Sequence, residues 1–409
     1  MTELPIRPAT AEDWPAISGL MSTAFHETFD EETHEIERSV FEPDRSLVIY
    51  DPDRGGPLVA HAAAFTRDLT VPGETVPAAH VSLVGVLSTH RRRGLLTRLM
   101  HRQLPELPEP VAVLWASEGR IYPRFGYGLA SQKISLSADT REVRLPHPAE
   151  PGRLRTVPPT EARGDLARLY EAARPDRPGW SSRSDAWWSY RLADPASHRH
   201  GATERRVTLH ESNAGEVDGY ALWRAKSDWS TAGPQGEVQV AEAIAADPDA
   251  YLALWRFLFS IDLTRTVTLR LAGLAEPLLH LADEPRRLGV TLGDGLFIRI
   301  VDLPAALTAR RYAAPLDLVL EVTDPLLPRN AGRWRLTVTA GGDKATCVRV
   351  DEPADLACDT ADLAAAYLGG GSLAALGAAG RVRELRPDAL AAASTGFGWH
   401  QAPAGIEVF

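Results

Sequence analysis

Three arginines and a glycine, in the run His90-Arg91-Arg92-Arg93-Gly94-Leu95-Leu96, carry the most legible chemistry in this chain. The run lies between a strand-like stretch, residues 81–87, and a helix-like stretch, residues 95–104. A helix start offers unbonded N–H groups and the positive end of the helix dipole. Guanidinium forks match phosphate oxygens, and Gly94 lets the backbone approach a ligand closely. Strand, basic glycine turn and helix start together make an anion cradle suited to a pyrophosphate.

The flanking elements must hold that turn. On the strand, Val81 and Leu83 share one phase while Val84 and Val86 share the other. A β-bulge produces such a slip, and a strand buried on both faces gives the same letters. On the helix, Leu96, Leu99, Met100 and Leu104 form one face, closed by Pro105 and Pro108. A buried strand at 111–115 then leads into Ser117-Glu118-Gly119-Arg120-Ile121-Tyr122-Pro123-Arg124-Phe125-Gly126-Tyr127-Gly128. Nearer the N-terminus, Thr10 and Asp13 read as a capping pair for a helix with Trp14, Ile17, Leu20 and Met21 on one face. Residues 46–50 and 58–65 read as strands.

Composition narrows the remaining choices. A chain of 409 residues exceeds one ordinary domain, and two or three are expected. The formal net charge of −10 argues against a general nucleic-acid binder and mildly favours cationic substrates. No apolar run reaches membrane-spanning length and the N-terminus has no signal-like pattern, so a soluble cytoplasmic protein with no membrane partner is expected. Cys347 and Cys358 are the only cysteines, too few for a disulfide scaffold or a cysteine zinc site. His198 and His200 lack neighbouring metal-ligand types, so no metal is expected.

The order strand, Arg-x-x-Gly turn, helix, strand and tyrosine-bearing turn resembles the GNAT acetyltransferases. More narrowly, Thr89-His90-Arg91-Arg92-Arg93-Gly94-Leu95-Leu96 followed by the stretch from Ser117 to Gly128 resembles the Eis (enhanced intracellular survival) family. The resemblance implies acetyl-CoA held at Leu83, Val84, Val86, Arg91, Arg92, Gly94, Leu95 and Leu96. It puts Ser117 at the pantetheine arm or a water, and makes backbone N–H groups near Leu83 and Val84 the polarisers of the thioester carbonyl. Where the general GNAT turn ends in Gly or Ala, this chain has Leu96.

The resemblance also implies a proton donor, Tyr122, and a proton acceptor, the terminal carboxylate of Phe409. Read alone, Tyr122 is an ordinary packing residue, and Tyr127 competes with it for the role. Glu27, with Phe25, Phe29 and Trp14 as apolar walls, is a candidate for holding an amine acceptor, and Asp30, Glu31 and Glu32 lie nearby. Glu407 stands two places before the end, with Val408 penultimate, so this chain departs from family members that carry an acidic penultimate residue.

The expected fold is α+β: tandem GNAT-type domains, with mixed sheets flanked by helices, and a C-terminal sterol-carrier-like domain. The expected boundaries are 1–145 for the catalytic domain, 146–300 for a non-catalytic GNAT-like domain and 301–409 for the third. A Pro- and Arg-rich linker is expected near 145–162, Pro151 included, and a terminal strand at 405–409. The implied activity is acetyl-CoA-dependent acetylation of small-molecule amines such as aminoglycosides by a homo-oligomer, a hexamer in the family. Protein or peptide lysine is the alternative acceptor. A vestigial lipid-binding or structural module is the alternative class.

Overall fold

The computed structural model describes residues 4–27, 30–149 and 152–409. The chain begins β1 (Ile6–Pro8), α1 (Trp14–Phe25), α2 (Glu31–Arg38), β2 (Ser46–Tyr50), β3 (Leu58–Val71) and β4 (Glu74–Val86), then α3 (Leu95–Glu106), β5 (Val111–Trp115) and β6 (Tyr127–Leu129). A second group comprises β7 (Gln132–Asp139), β8 (Arg153–Val157), α4 (Pro159–Ala173), α5 (Asp185–Leu192), β9 (Arg206–Glu211) and β10 (Val217–Lys226). It continues with a small ribbon, β11 (Trp229–Ser230) and β12 (Gly233–Pro234), then β13 (Gly236–Ala245), α6 (Pro248–Phe259), β14 (Thr264–Ala272), α7 (Leu278–Leu281) and β15 (Thr291–Asp294). The rest is β16 (Leu296–Ile300), α8 (Leu303–Thr308), β17 (Leu316–Thr323), β18 (Gly332–Val338), β19 (Ala345–Arg349), β20 (Leu356–Asp359), α9 (Thr360–Ala366), α10 (Leu373–Ala378), β21 (Arg383–Glu384) and α11 (Ala389–Phe397).

Two compact units result. One holds residues up to Ser131, Gly295–His400 and Phe409, and the other holds Gln132–Asp294 and Gln401–Val408. Two seven-stranded sheets, β1-β2-β3-β4-β5-β16-β6 and β15-β7-β14-β13-β10-β9-β8, lie one in each unit, and the five-stranded sheet β19-β18-β17-β20-β21 belongs to the first.

These partners move both domain boundaries from where the sequence pattern put them. β7 joins the second sheet, so the first segment ends near 131 instead of 145. β16 inserts between β5 and β6, which returns residues 296–300 to the first sheet. Every residue of β16 is buried, and such a strand needs a neighbour on each edge and cover on each face. The supposed linker also contains structure, since β8 pairs with β9 as an exposed edge strand and α4 starts at Pro159. Helix α3 runs through Pro105 to Glu106, two residues beyond the expected stop.

The third domain shares its core with the first sheet. Leu69, Val76, Val111 and Ile298 pack in one cluster with Leu320, Leu336, Tyr367 and Phe397. At that junction Arg299 of β16 is fully buried and forks onto Asp324 at 2.6 and 2.8 Å, with a further bond to Thr360. Asp324 also accepts from the Leu327 N–H and the Asn330 amide. Gly126 is required here, because its φ is +83° and a Cβ would lie 2.7 Å from the guanidinium carbon. The expected terminal strand is absent: residues 401–409 join no ladder. The tail is bound instead by Ile406, packed in the second unit's core, and by a backbone bond from the Ala404 N–H to the Pro178 carbonyl.

A buried ion pair broken on one side leaves an uncompensated charge, which costs about 3–5 kcal/mol. Arg299→Met is expected to lose about 3 kcal/mol in urea unfolding of the first unit, and the double variant with Asp324→Asn to recover a large part of it.

Candidate active site

The opening between β4 and β5 is set by how briefly they pair. They run parallel in register only over Ala78–His80 against Val111–Val113, and then separate. The phase slip on β4 is a bulge: Ser82 faces Ala63 and Gly85 faces His61, so Leu83 and Val84 together oppose Ala62. Leu83 takes φ +50°, a left-handed conformation that a leucine adopts only when its surroundings enforce it.

His61 supplies that enforcement. Its ring is fully buried, and Nδ1 lies 2.7 Å from the Leu83 carbonyl oxygen. A carbonyl only accepts, so Nδ1 carries the proton and donates. Burial pushes the imidazole down to about 4, against the raising effect of the Leu83 carbonyl and Asp13, so the ring is neutral at physiological pH. In a trans peptide the C=O and the next N–H point in opposite directions. His61 therefore fixes the plane that turns the Val84 N–H away from itself.

Val84 and Val86 line a cleft of about 530 Å³ that also includes Arg91, Arg92, Gly94, Leu95, Leu96, Ser117 and Tyr122. Gly94 is the residue before α3, with φ +76° and no side-chain cap, so the first N–H groups of the helix remain open to a ligand. The three arginines divide. Arg91 and Arg92 reach the cleft wall, while Arg93 lies 3.9 Å from Asp51. Asp51 also accepts from His90 Nε2 at 2.9 Å, which anchors the turn from below and holds that carboxyl under its ordinary value.

Tyr122 lies at the start of a 3-10 turn, Pro123–Phe125, and is 6% exposed. Burial raises its phenol to about 12, slightly offset by Arg124, so it is protonated throughout the neutral range. Tyr127 stacks edge-on against it at 5.7 Å but is fully buried and does not line the cleft. Geometry thus separates two tyrosines that the motif leaves in competition.

Other expected residues fall elsewhere. Leu83 turns its side chain towards the core around Trp14, and Trp14 is itself 4% exposed in that core, tilted against Phe41, so it walls no cavity. Phe25 reaches the cleft, while Glu27 is exposed just past the end of α1 and off the cleft wall. Asp30 caps α2 through the Thr33 N–H, and Phe29 lies outside the described residues. Phe409 is held on β4 beside the bulge: the Ser82 hydroxyl donates to its carboxylate at 2.7 Å, and its ring packs against His80 at 4.6 Å. Glu407 pairs with buried Arg183, which also forks onto Glu242 and stacks on Tyr170. That pairing accounts for the carboxylate near the terminus without a catalytic role.

Several participants had no readable signal. His61 and Ser82 sit in ordinary strand letters, and His26 and Arg124 enter the cleft from the ends of α1 and the tyrosine turn. Glu37 is mostly buried and is raised to about 7, chiefly by burial and secondly by Glu27. Among the described residues no group of His, Cys, Asp and Glu could hold a metal ion, and no helix is long and apolar enough to cross a membrane.

A bulged strand parting from a parallel neighbour, followed by an uncapped basic helix start, defines a GNAT-type acetyltransferase cleft. Sequence profiles agree: residues 5–130 and 179–300 each match an acetyltransferase (GNAT) domain, and 303–404 match a sterol carrier protein domain. An uncharacterized N-acetyltransferase of Streptomyces avermitilis is 44% identical over 97% of this chain and 98% of its own. The N-acetyltransferase Eis of Mycobacterium tuberculosis is 36% identical over 91% and 92%. The crystal structure of Eis1 from Mycobacterium abscessus aligns over the whole of both chains with a TM-score of 0.82 at 31% identity. The chain belongs to the Eis family of GNAT N-acetyltransferases, enzymes that use acetyl-CoA.

If the Val84 N–H polarises a thioester carbonyl, His61 acts through the peptide it holds, and His61→Ala should lower kcat about 10-fold or more with little change in KM for acetyl-CoA. His61→Asn, whose amide can donate from nearly the Nδ1 position, should restore part of it. A uniform loss of thermal stability with kcat intact in both variants would remove the positioning role.

Proposed function

We propose that this enzyme transfers the acetyl group of acetyl-CoA to amines of small polycationic acceptors of the aminoglycoside type. The observation carrying the reading is a single cleft that combines Arg91, Arg92 and the open start of α3 with the protonated phenol of Tyr122. The two arginines and the N–H groups of residues 95 and 96 hold the pyrophosphate. Val84, Val86 and Ser117 take the pantetheine arm, and the Val84 N–H polarises the thioester carbonyl.

Proton flow follows from the same groups. The acceptor must attack as a neutral amine, and its proton passes, directly or through water, to the Phe409 carboxylate. An α-carboxylate has an ordinary pKa of about 3.3–3.7 and is ionised at neutral pH. The Ser82 hydroxyl favours that charged form. Tyr122 gives its proton to the departing CoA sulfur and regains one from solvent or the spent base. A cationic acceptor is supported by the net charge of −10 and by Glu118 on the cleft wall. Acetyl-CoA dependence fits a cytoplasmic enzyme, and the hexamer of the family is checked by sedimentation.

Turnover should be measured against aminoglycosides, small diamines and lysine peptides. Aminoglycosides are expected to give the highest kcat/KM, and a preference for lysine peptides would replace the acceptor class. Tyr122→Phe should lose about 100-fold in kcat while keeping acetyl-CoA affinity. Near-normal turnover would remove the general-acid role. Extending the chain by three residues beyond Phe409 should abolish turnover without altering acetyl-CoA binding, and full activity in that variant would exclude the terminal carboxylate as base.

A further inference from the structure

The second unit repeats the device that opens the first cleft and reverses its charge. β13 and β14 run parallel and paired from Gly236 to Val240 and then part. Against β10, Leu222 faces Glu242 and Trp223 faces Val240, so Ala241 is the extra residue of a bulge, as on β4. α6 follows β13 as α3 follows β4. Between the parted strands lies a cavity of about 560 Å³, walled by Ala243, Leu269 and Leu271 from the strands, by Trp180 and Trp255, and by Ile406 of the C-terminal tail.

This cavity does not suit a pyrophosphate. The residue before α6 is Asp247, and its own carboxylate accepts from the N–H groups of Asp249 at 2.8 Å and Ala250 at 3.0 Å. A fixed negative charge thus occupies the position that Gly94 leaves open in the first unit. Glu242 and Glu276 add two more carboxylates to the wall, opposed there by Arg177. Glu242 is already bonded to Arg183, Arg191 and Tyr220.

Glu276 is differently placed. Its Oε1 takes both of its bonds, from the Tyr251 hydroxyl and from the Leu278 N–H, and Oε2 takes neither. Burial raises this carboxyl, while the Tyr251 bond, the Leu278 N–H and Arg177 work against the rise. A carboxyl oriented by one oxygen, in a largely apolar cavity whose helix start is already occupied by a carboxylate, matches an ammonium group with an apolar body.

We propose that the second-domain cleft is a separate ligand site for a protonated amine carried on a compact apolar or aromatic body, with the ammonium on Glu276. Trp180 and Trp255 contribute the aromatic wall, and Ile406 makes the tail part of the site. The site is independent of the acetyl-transfer reading and stands or falls separately from it.

The test uses the full-length protein and a tertiary aralkyl amine bearing a diazirine, which is protonated at neutral pH and cannot be acetylated to a neutral product. Photolabelling mapped by mass spectrometry is expected within 173–181, 241–255 or 269–281, with saturating acetyl-CoA making no difference. Glu276→Gln keeps an acceptor for Tyr251 and should reduce labelling about 10-fold, the loss of one charge-assisted bond. Ala243→Trp, which fills the cleft, should abolish it, and the matching neutral alcohol should label at least about 10-fold less. Melting temperatures check that both variants fold, and if one does not, the other decides. Labelling that is absent, confined to other residues, or equal in the folded variants would overturn the site.

Discussion

Three residue pairs of parallel ladder, Ala78–His80 against Val111–Val113, set the constraint on which the first unit's chemistry depends. Had β4 and β5 stayed paired, the N–H of Val84 would be spent in the sheet and there would be no cleft. The bulge at Leu83 and Val84 ends the pairing by turning the strand, and His61 keeps the strained peptide in one orientation. A buried neutral imidazole suits this task, since one nitrogen donates and nothing in the neutral range charges the ring. The turn after the strand then needs only an uncapped helix start and two forward-facing arginines. Asp51 holds the third arginine and His90 behind them.

The same constraint appears twice with opposite outcomes. In the second unit the strands also part after a short parallel ladder and a bulge, but Asp247 fills the helix start and carboxylates line the wall. Topology therefore makes the cavity, and the residue before the helix decides whether an anion can enter. Glycine leaves the N–H groups free; aspartate supplies its own anion.

The ends of the chain are tied in by equally specific groups. The tail joins no strand ladder, so its placement depends on side chains: Ile406 in an apolar core, Glu407 on Arg183, and the Phe409 carboxylate on Ser82. Arg183 has no exposed surface in its side chain and is matched by two carboxylates and two aromatic faces, which makes it costly to leave unpaired. The sterol-carrier-like domain is joined to the first sheet in a comparable way. A continuous apolar core and the Arg299–Asp324 pair make it part of the first unit.

The letters of the chain determined the local chemistry by themselves. The basic turn, the face of α3 and the tyrosine turn are all set by neighbours within a few residues, where spacing and propensity act directly. So the basic turn that walls the cleft and the three-part organisation were legible. What only the tertiary structure decided involves partners far apart in sequence. His61 reaches Leu83 from another strand, Ser82 meets Phe409 across 327 residues, and β16 inserts between strands it follows by more than 160 residues. Trp14 and Tyr127 look like site residues by type and position, yet both are consumed by cores. Burial and strand pairing are free-energy balances over the whole chain, and no local pattern contains them.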